Sequence, residues 1–150
     1  MIRIYETNSP EETFSVGQYY GENAAPGEVV CLDGSLGVGK TVFVKGFAKG
    51  LGIADHVVSP TFTILQVYEG GRLPMYHFDV YRIEDEDEME EIGHEEFFYG
   101  EGVSLVEWAV RIEDLIPEYA LRVTIEKDPE KGFDYRKITV ASKDKGPEKA

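Results

Sequence analysis

The chain has 150 residues, 42% of them hydrophobic and 12% aromatic, with 15 basic against 29 acidic residues and a formal net charge of −14. That length and apolar content fit one globular domain with a real core, and they exclude wholesale disorder. The charge excludes a direct grip on a nucleic-acid backbone, where affinity comes mainly from neutralised phosphates, so any role near RNA has to run through a partner of opposite charge balance. Cys31 is the single cysteine, so no internal disulfide forms; it reads as a small core residue and not as a catalytic thiol. No apolar stretch approaches membrane-spanning length and Met1–Glu6 lacks a signal-peptide pattern, so no membrane is expected as a partner and the expected compartment is the cytoplasm.

Ile2 to Glu6 alternates weakly, as a strand does. Ser9-Pro10-Glu11-Glu12 is a helix start, with Ser9 as N-cap, Pro10 at the first helical position and Glu12 closing a capping box. Val16, Tyr19 and Tyr20 follow at i, i+3 and i+4, which predicts one apolar face, and Gly21 to Gly27 ends that helix. The apolar run Val29 to Leu32 predicts a strand, and Val42 to Leu51 a helix with Phe43, Val44, Phe47 and Leu51 on one side, closed by Gly50 or Gly52. Ser59-Pro60-Thr61-Phe62 leads into a strand over Phe62 to Tyr68. Glu69 to Arg72 is a turn, and Leu73 to Tyr81 a second strand, giving an antiparallel hairpin. Glu84 to Glu96 holds nine acidic residues with Met89 and Ile92 as a thin apolar stripe, which predicts one helix with a solvated acidic face. Val103 to Val106 is a short buried strand ending at Glu107-Trp108. Leu121 to Ile125 and Tyr135 to Val140 alternate about a polar turn containing Gly132. The charged tail 143–150 is expected to fray. With no internal repeat and no dividing linker, residues 1–142 are expected to form a single α/β domain, a P-loop NTPase-like three-layer fold with a mixed parallel/antiparallel sheet.

The chemistry centres on Gly34-Ser35-Leu36-Gly37-Val38-Gly39-Lys40-Thr41, set between an apolar strand and a helix as a phosphate-binding loop requires. Its glycines let backbone N–H groups turn inward on anionic oxygens, and the following helix brings its positive end to the same point. Lys40 then supplies a charge for the outer phosphates and the Thr41 hydroxyl a ligand for magnesium. The alternative, a glycine turn that only caps a helix, does not account for the full pattern with both flanks. A second magnesium anchor is needed, and two acids at strand ends compete for it: Asp79 after Met75 to Phe78, and Glu107 after Val103 to Val106. The second run is the cleaner buried strand, which favours Glu107, directly or through water. Thr61 is either a γ-phosphate-sensing threonine or part of a helix-to-strand turn. His77 reads as a hydrogen-bonded core histidine, His56 and His94 show no ligand spacing, and Trp108 reads as core before contact residue.

With these pieces placed, the chain resembles the TsaE family, also known as YjeE, small bacterial P-loop ATPases required for making threonylcarbamoyladenosine in transfer RNA. The likeness is carried by Gly34 to Thr41, Ser59-Pro60-Thr61-Phe62, His77-Phe78-Asp79-Val80-Tyr81-Arg82 and Glu107-Trp108, in the family's order and at similar separations. The helix start Ser9 to Thr13 also fits, and the resemblance runs from about residue 2 to 140. The phosphate loop alone is weakly specific; the His-Phe-Asp-x-Tyr-Arg string with Glu-Trp is much more so. The family often has Asp at Ser35, Ala at Val38, Leu at Val80 and Ile83, and Pro at Ala109; none of these departures removes a phosphate or metal group.

The resemblance implies ATP and magnesium as the bound species, hydrolysis that is weak alone and partner-dependent, and the TsaD–TsaB threonylcarbamoyl transferase pair as partners, reset between rounds. Transfer RNA would be met only through those partners. It further implies Thr41 and Glu107 as magnesium ligands, Asp79 as catalytic or metal-associated, and adenine near Ser9 to Glu11, with Pro10 and Arg136 alongside; with the residues' own chemistry, the expected catalytic set is Lys40, Asp79, Glu107 and Thr61. Two rivals have less in the sequence. A small-molecule or nucleotide kinase wants an arginine-rich lid, whereas Arg72, Arg82, Arg111, Arg122 and Arg136 are scattered. A GTPase wants Asn-Lys-x-Asp, and neither Asn8 nor Asn23 precedes a lysine. A non-hydrolysing ATP-dependent assembly subunit stays open, since binding and hydrolysing residues overlap.

Overall fold

The structure, a computed structural model, describes residues 1–35, 37–58, 60 and 63–142. The chain runs β1 (Ile2–Thr7), α1 (Pro10–Glu22), β2 (Val29–Asp33), α2 (Lys40–Gly50), β3 (Leu65–Tyr68), β4 (Met75–Asp79), α3 (Asp87–Ile92), α4 (His94–Phe98), β5 (Val103–Glu107), a 3-10 segment Ala109–Leu115, β6 (Leu121–Lys127), a 3-10 turn Pro129–Lys131 and β7 (Arg136–Ala141). The expectations for Leu36, Ser59, Thr61, Phe62 and the tail 143–150 lie outside the described residues.

Seven strands among the described residues form one sheet in the order β1-β7-β6-β2-β5-β4-β3. The centre is parallel, with β2 between β5 and β6 and β4 beyond β5, while β1, β7 and β3 pair antiparallel at the two sides. The sheet is mixed, as the sequence predicts. Alternation along the strands sorts side chains to two faces. Val30, Leu32, Leu105, Met75 and Val123 face Phe43, Val44, Phe47 and Leu51 of α2 and its flank. Val29, Cys31, Val106 and Phe78 face Met89, Phe98 and Ile112 on the other side. Each fully buried Phe or Leu among these contributes about 1.5–3 kcal/mol of transfer free energy, so both layers hold the sheet between them. Burial pushes the Cys31 thiol up to about 12, which keeps it a neutral core residue.

The start of α1 forms much as its sequence dictates. Ser9 Oγ accepts the Glu12 N–H at 3.2 Å, and the Glu12 carboxylate reaches one residue further back, to the N–H of Asn8 at 2.9 Å. The buried face is not the expected one. Thr13, Gly17 and Gly21 are buried, while Val16 and Tyr20 pack only partly and Tyr19 is exposed. The reason is backbone contact: a Cβ on Gly17 would stand 2.2 Å from the Phe43 carbonyl oxygen, and one on Gly46 2.1 Å from that of Phe14. The two helices therefore meet along a seam of absent side chains. At its far end α1 is closed by Arg72, whose guanidinium donates to the carbonyls of Ala24, Gly21 and Glu22 at 2.8–3.1 Å.

Three other expectations are corrected. The first hairpin strand starts at Leu65, because Ile64 takes φ +68° and its N–H goes back to the Pro60 carbonyl. Its partner strand stops at Asp79, whose Oδ1 accepts the Tyr81 N–H at 3.0 Å and turns the chain. The acidic segment is two short helices, α3 and α4, divided where Gly93 takes φ +80°.

Candidate functional site

The three central strands β2, β5 and β4 end together, and the sequence places a chemically capable group at each end. In open α/β sheets ligands sit at the carboxyl ends of parallel strands, which is where these groups gather. From β2 the chain passes through the glycine loop into α2. Gly39 is the N-cap, at φ +109° and ψ 16°, a left-handed geometry that a side chain would resist, and no side chain caps this helix. The first-turn N–H groups and the helix dipole therefore point at the loop without a built-in carboxylate to neutralise them.

Lys40 opens α2, with a side chain only 11% exposed and its Nζ 3.7 Å from Glu107 Oε1. The same Nζ lies 5.3 Å from the centre of the Trp108 ring. Glu107 ends β5 in register with Leu32 of β2 on one side and Asp79 of β4 on the other. By alternation Glu107, Asp79 and His77 share the face of Leu105 and Met75, the α2 side of the sheet. Thr41, the second helical residue, is exposed beside Lys40. Gly34, Ser35, Gly37, Val38 and Gly39 form the described part of the loop; Leu36 and Thr61 lie outside the described residues.

Among the described residues no group of three or more His, Cys, Asp and Glu side chains could by itself hold a metal ion. One hydroxyl and two carboxylates at adjoining strand ends are the donor set that suits magnesium, which keeps waters and shares phosphate oxygens. Thr41, Glu107 and Asp79 fit that ion better than a caged calcium or a zinc site.

Pro10 and Arg136, far apart in sequence, lie together in the fold. With Gly39, Val42 and Asp134 they line a cleft of about 150 Å3 beside the loop. Arg136 also has a structural task that its sequence position does not announce. Its Nε donates to the Val38 carbonyl at 2.7 Å, and one terminal nitrogen to Tyr135 at 2.7 Å and Phe133 at 3.0 Å. That ties β7 to the loop. Arg136→Met is expected to lower stability by about 1.5–3 kcal/mol, the range for hydrogen bonds made by a charged group, read as a shifted midpoint in urea unfolding with unchanged slope.

Two residues depart from what their sequence context suggests. Trp108 is no core residue: it is 38% exposed, takes φ +63°, and packs at a tilt against Tyr81 with ring centres 4.8 Å apart. Such a backbone in a bulky non-glycine residue is strain stored beside the site. His77 is buried and hydrogen-bonded as expected, but its partner is Glu107 Oε2, at 2.7 Å. Its place two residues before Asp79, on the same strand face, is the signal the sequence offers.

The family model described as "Threonylcarbamoyl adenosine biosynthesis protein TsaE" matches residues 7–138. The chain belongs to the TsaE family. The TsaE relative from Bacillus subtilis, a tRNA threonylcarbamoyladenosine biosynthesis protein, is 50% identical over 135 residues, covering 90% of this chain and 82% of its own. The Treponema pallidum TsaE is 44% identical over 119 residues, 79% of this chain and 87% of its own. The crystal structure of Bacillus subtilis YdiB superposes with a TM-score of 0.79 at 42% identity, over 95% of this chain and 86% of that one. These matches support a role in tRNA threonylcarbamoyladenosine biosynthesis, and the stretch matched to the TsaE family contains every site residue named above. No helix among the described residues is long and apolar enough to cross a membrane.

Proposed function

We propose that this chain binds magnesium-ATP on the Gly34–Thr41 loop and hydrolyses it while docked on a TsaD–TsaB threonylcarbamoyl transferase pair, resetting that pair between rounds. One observation carries the reading: the loop's lysine, buried to 11% exposure, faces a carboxylate at 3.7 Å that ends the neighbouring parallel strand. A cation poised between a phosphate cradle and an acid is what phosphoryl chemistry asks of a protein, since catalysis there is mainly positioning and charge stabilisation.

In this reading the N–H groups at the start of α2 and Lys40 Nζ hold the outer phosphates. Thr41 and Glu107 hold the metal, with Asp79 catalytic or metal-associated. A magnesium ion held by these residues would supply charge neutralisation to the bound phosphates. The Trp108 ring lies against Lys40 and keeps bulk water from one side of its charge, which strengthens its pull on the phosphates. The adenine lies toward Pro10 and Arg136. With a net charge of −14, the chain meets transfer RNA only through its partners, in the cytoplasm.

The test is ATP hydrolysis with and without the purified TsaD–TsaB pair. Turnover is expected to be low alone and to rise with the pair; full activity in isolation would point to an independent enzyme. No turnover under either condition, with ATP still bound, would make the chain a non-hydrolysing assembly subunit. Within the same assay Glu107→Gln is expected to lower magnesium-dependent hydrolysis on the order of 100-fold while changing nucleotide affinity far less. An equal loss in both would reduce Glu107 to a structural part.

A further inference from the structure

Glu107 faces two claims on its carboxylate. Oε1 stands 3.7 Å from Lys40, and Oε2 accepts from His77 Nε2 at 2.7 Å. A carboxylate only accepts, so His77 Nε2 carries the hydrogen, and the bond is short and charge-assisted. The shorter contact wins the geometry. It pins Oε2 at the ring and leaves Oε1 as the oxygen turned toward Lys40.

The histidine has no other polar role. Its side chain is 3% exposed, and its Nδ1 is buried with no hydrogen-bond partner. A buried orphan nitrogen is a desolvation cost that an apolar side chain among Met75, Leu105 and their neighbours would avoid. Packing alone therefore disfavours histidine here, and the Glu107 bond is what offsets the cost. Register makes the aim specific: His77 pairs with Leu105 and Asp79 with Glu107, so the ring reaches forward along the shared face to a side chain two residues past its own partner.

We propose that His77 is the positioning residue of the magnesium-nucleotide site, fixing the rotamer of Glu107 so that Oε1 is presented on the loop side, beside Lys40, where the metal would be held. This rests on the assignment of Glu107 as a metal ligand. Without the Nε2 donor, Oε2 is no longer pinned, and the carboxylate is free to rotate Oε1 out of the position where it would meet the metal. Loss of a partner that orients a metal-binding side chain typically weakens metal affinity by about 10–100-fold, and that is the scale expected.

The experiment is a manganese titration followed by electron paramagnetic resonance, on the full chain saturated with a non-hydrolysable ATP analogue, for wild type, His77→Gln, His77→Asn and His77→Leu. Gln carries its amide donor near the position of Nε2, whereas Asn carries the same group too short to reach Glu107. The expected result is wild-type-like manganese affinity for Gln, and affinity weaker by about 10–100-fold for Asn and Leu. Analogue affinity in chelator is expected to stay wild-type-like for Gln and to fall less than manganese affinity for Asn and Leu, since Lys40 is paired with Glu107 Oε1 already and the main loss is the orientation of the metal-binding oxygen. Gln and Asn behaving alike, or Leu binding manganese as wild type does, overturns the proposal; should Asn not fold, Gln against Leu decides. If wild type with bound analogue takes up no manganese, the metal-site reading itself fails and takes this inference with it.

Discussion

Lys40→Ala is expected to abolish nucleotide-dependent function, through affinity before chemistry. The ammonium is the one lysine in the phosphate loop and lies nearly out of solvent, 3.7 Å from Glu107 and beneath the Trp108 ring. Two unit charges about 4 Å apart interact by about 4 kcal/mol at an effective dielectric near 20, which corresponds to about 1,000-fold in a binding constant. Alanine also leaves Glu107 facing the phosphates with no cation between them, which adds repulsion to the lost attraction. Calorimetric titration with ATP is therefore expected to show Kd rising by about 100–1,000-fold, with hydrolysis below detection. Unchanged affinity would remove the loop from the account.

Gly46→Ala carries the second large effect, and two forces oppose each other in it. Alanine is the better helix former by about 1 kcal/mol, so propensity alone predicts a gain. The added Cβ, however, would sit 2.1 Å from the Phe14 carbonyl oxygen and 3.1 Å from the Gln18 nitrogen, both backbone atoms of α1 that cannot rotate aside. The helices must separate, and overpacking of this kind costs about 1–3 kcal/mol or more. Separation also strips contact from Phe43 and Phe47, which are fully buried beneath the seam. The expected net result is destabilisation of about 2 kcal/mol in denaturant unfolding. A stabilised variant would mean that α1 can ride outward at no cost.

Much of the site can be read along the chain because its parts are local. The phosphate loop declares itself in eight consecutive residues, the α1 start in Ser9, Pro10 and Glu12, and the two acids by standing where apolar strands end. What stays hidden depends on pairing across the sheet or on what is missing. Periodicity counts apolar side chains, so it assigns α1 a Val16–Tyr20 face and cannot register a contact made by Gly17 and Gly46, where the side chain is absent. His77 looks like an ordinary core histidine because its partner lies on a strand 30 residues later. Trp108 looks like core because hydrophobicity outweighs everything else in a linear reading, whereas the turn that leaves β5 at φ +63° swings it outward over Lys40. Thr61, the sensing candidate, falls outside the described residues and gains nothing from the fold.

The order of the sheet bears on how the polypeptide is made. β2, the strand that launches the phosphate loop, is complete by residue 33, yet its two neighbours are β5, at 103–107, and β6, at 121–127. During translation at about 5–20 residues per second, the apolar segment from Val29 to Leu32 waits roughly 4–15 s with both edges bare before β5 is complete. Unpaired edges of that kind attract other chains, and distant pairings slow folding. The strand that later launches the phosphate loop is thus left with an unpaired edge until β6 is made.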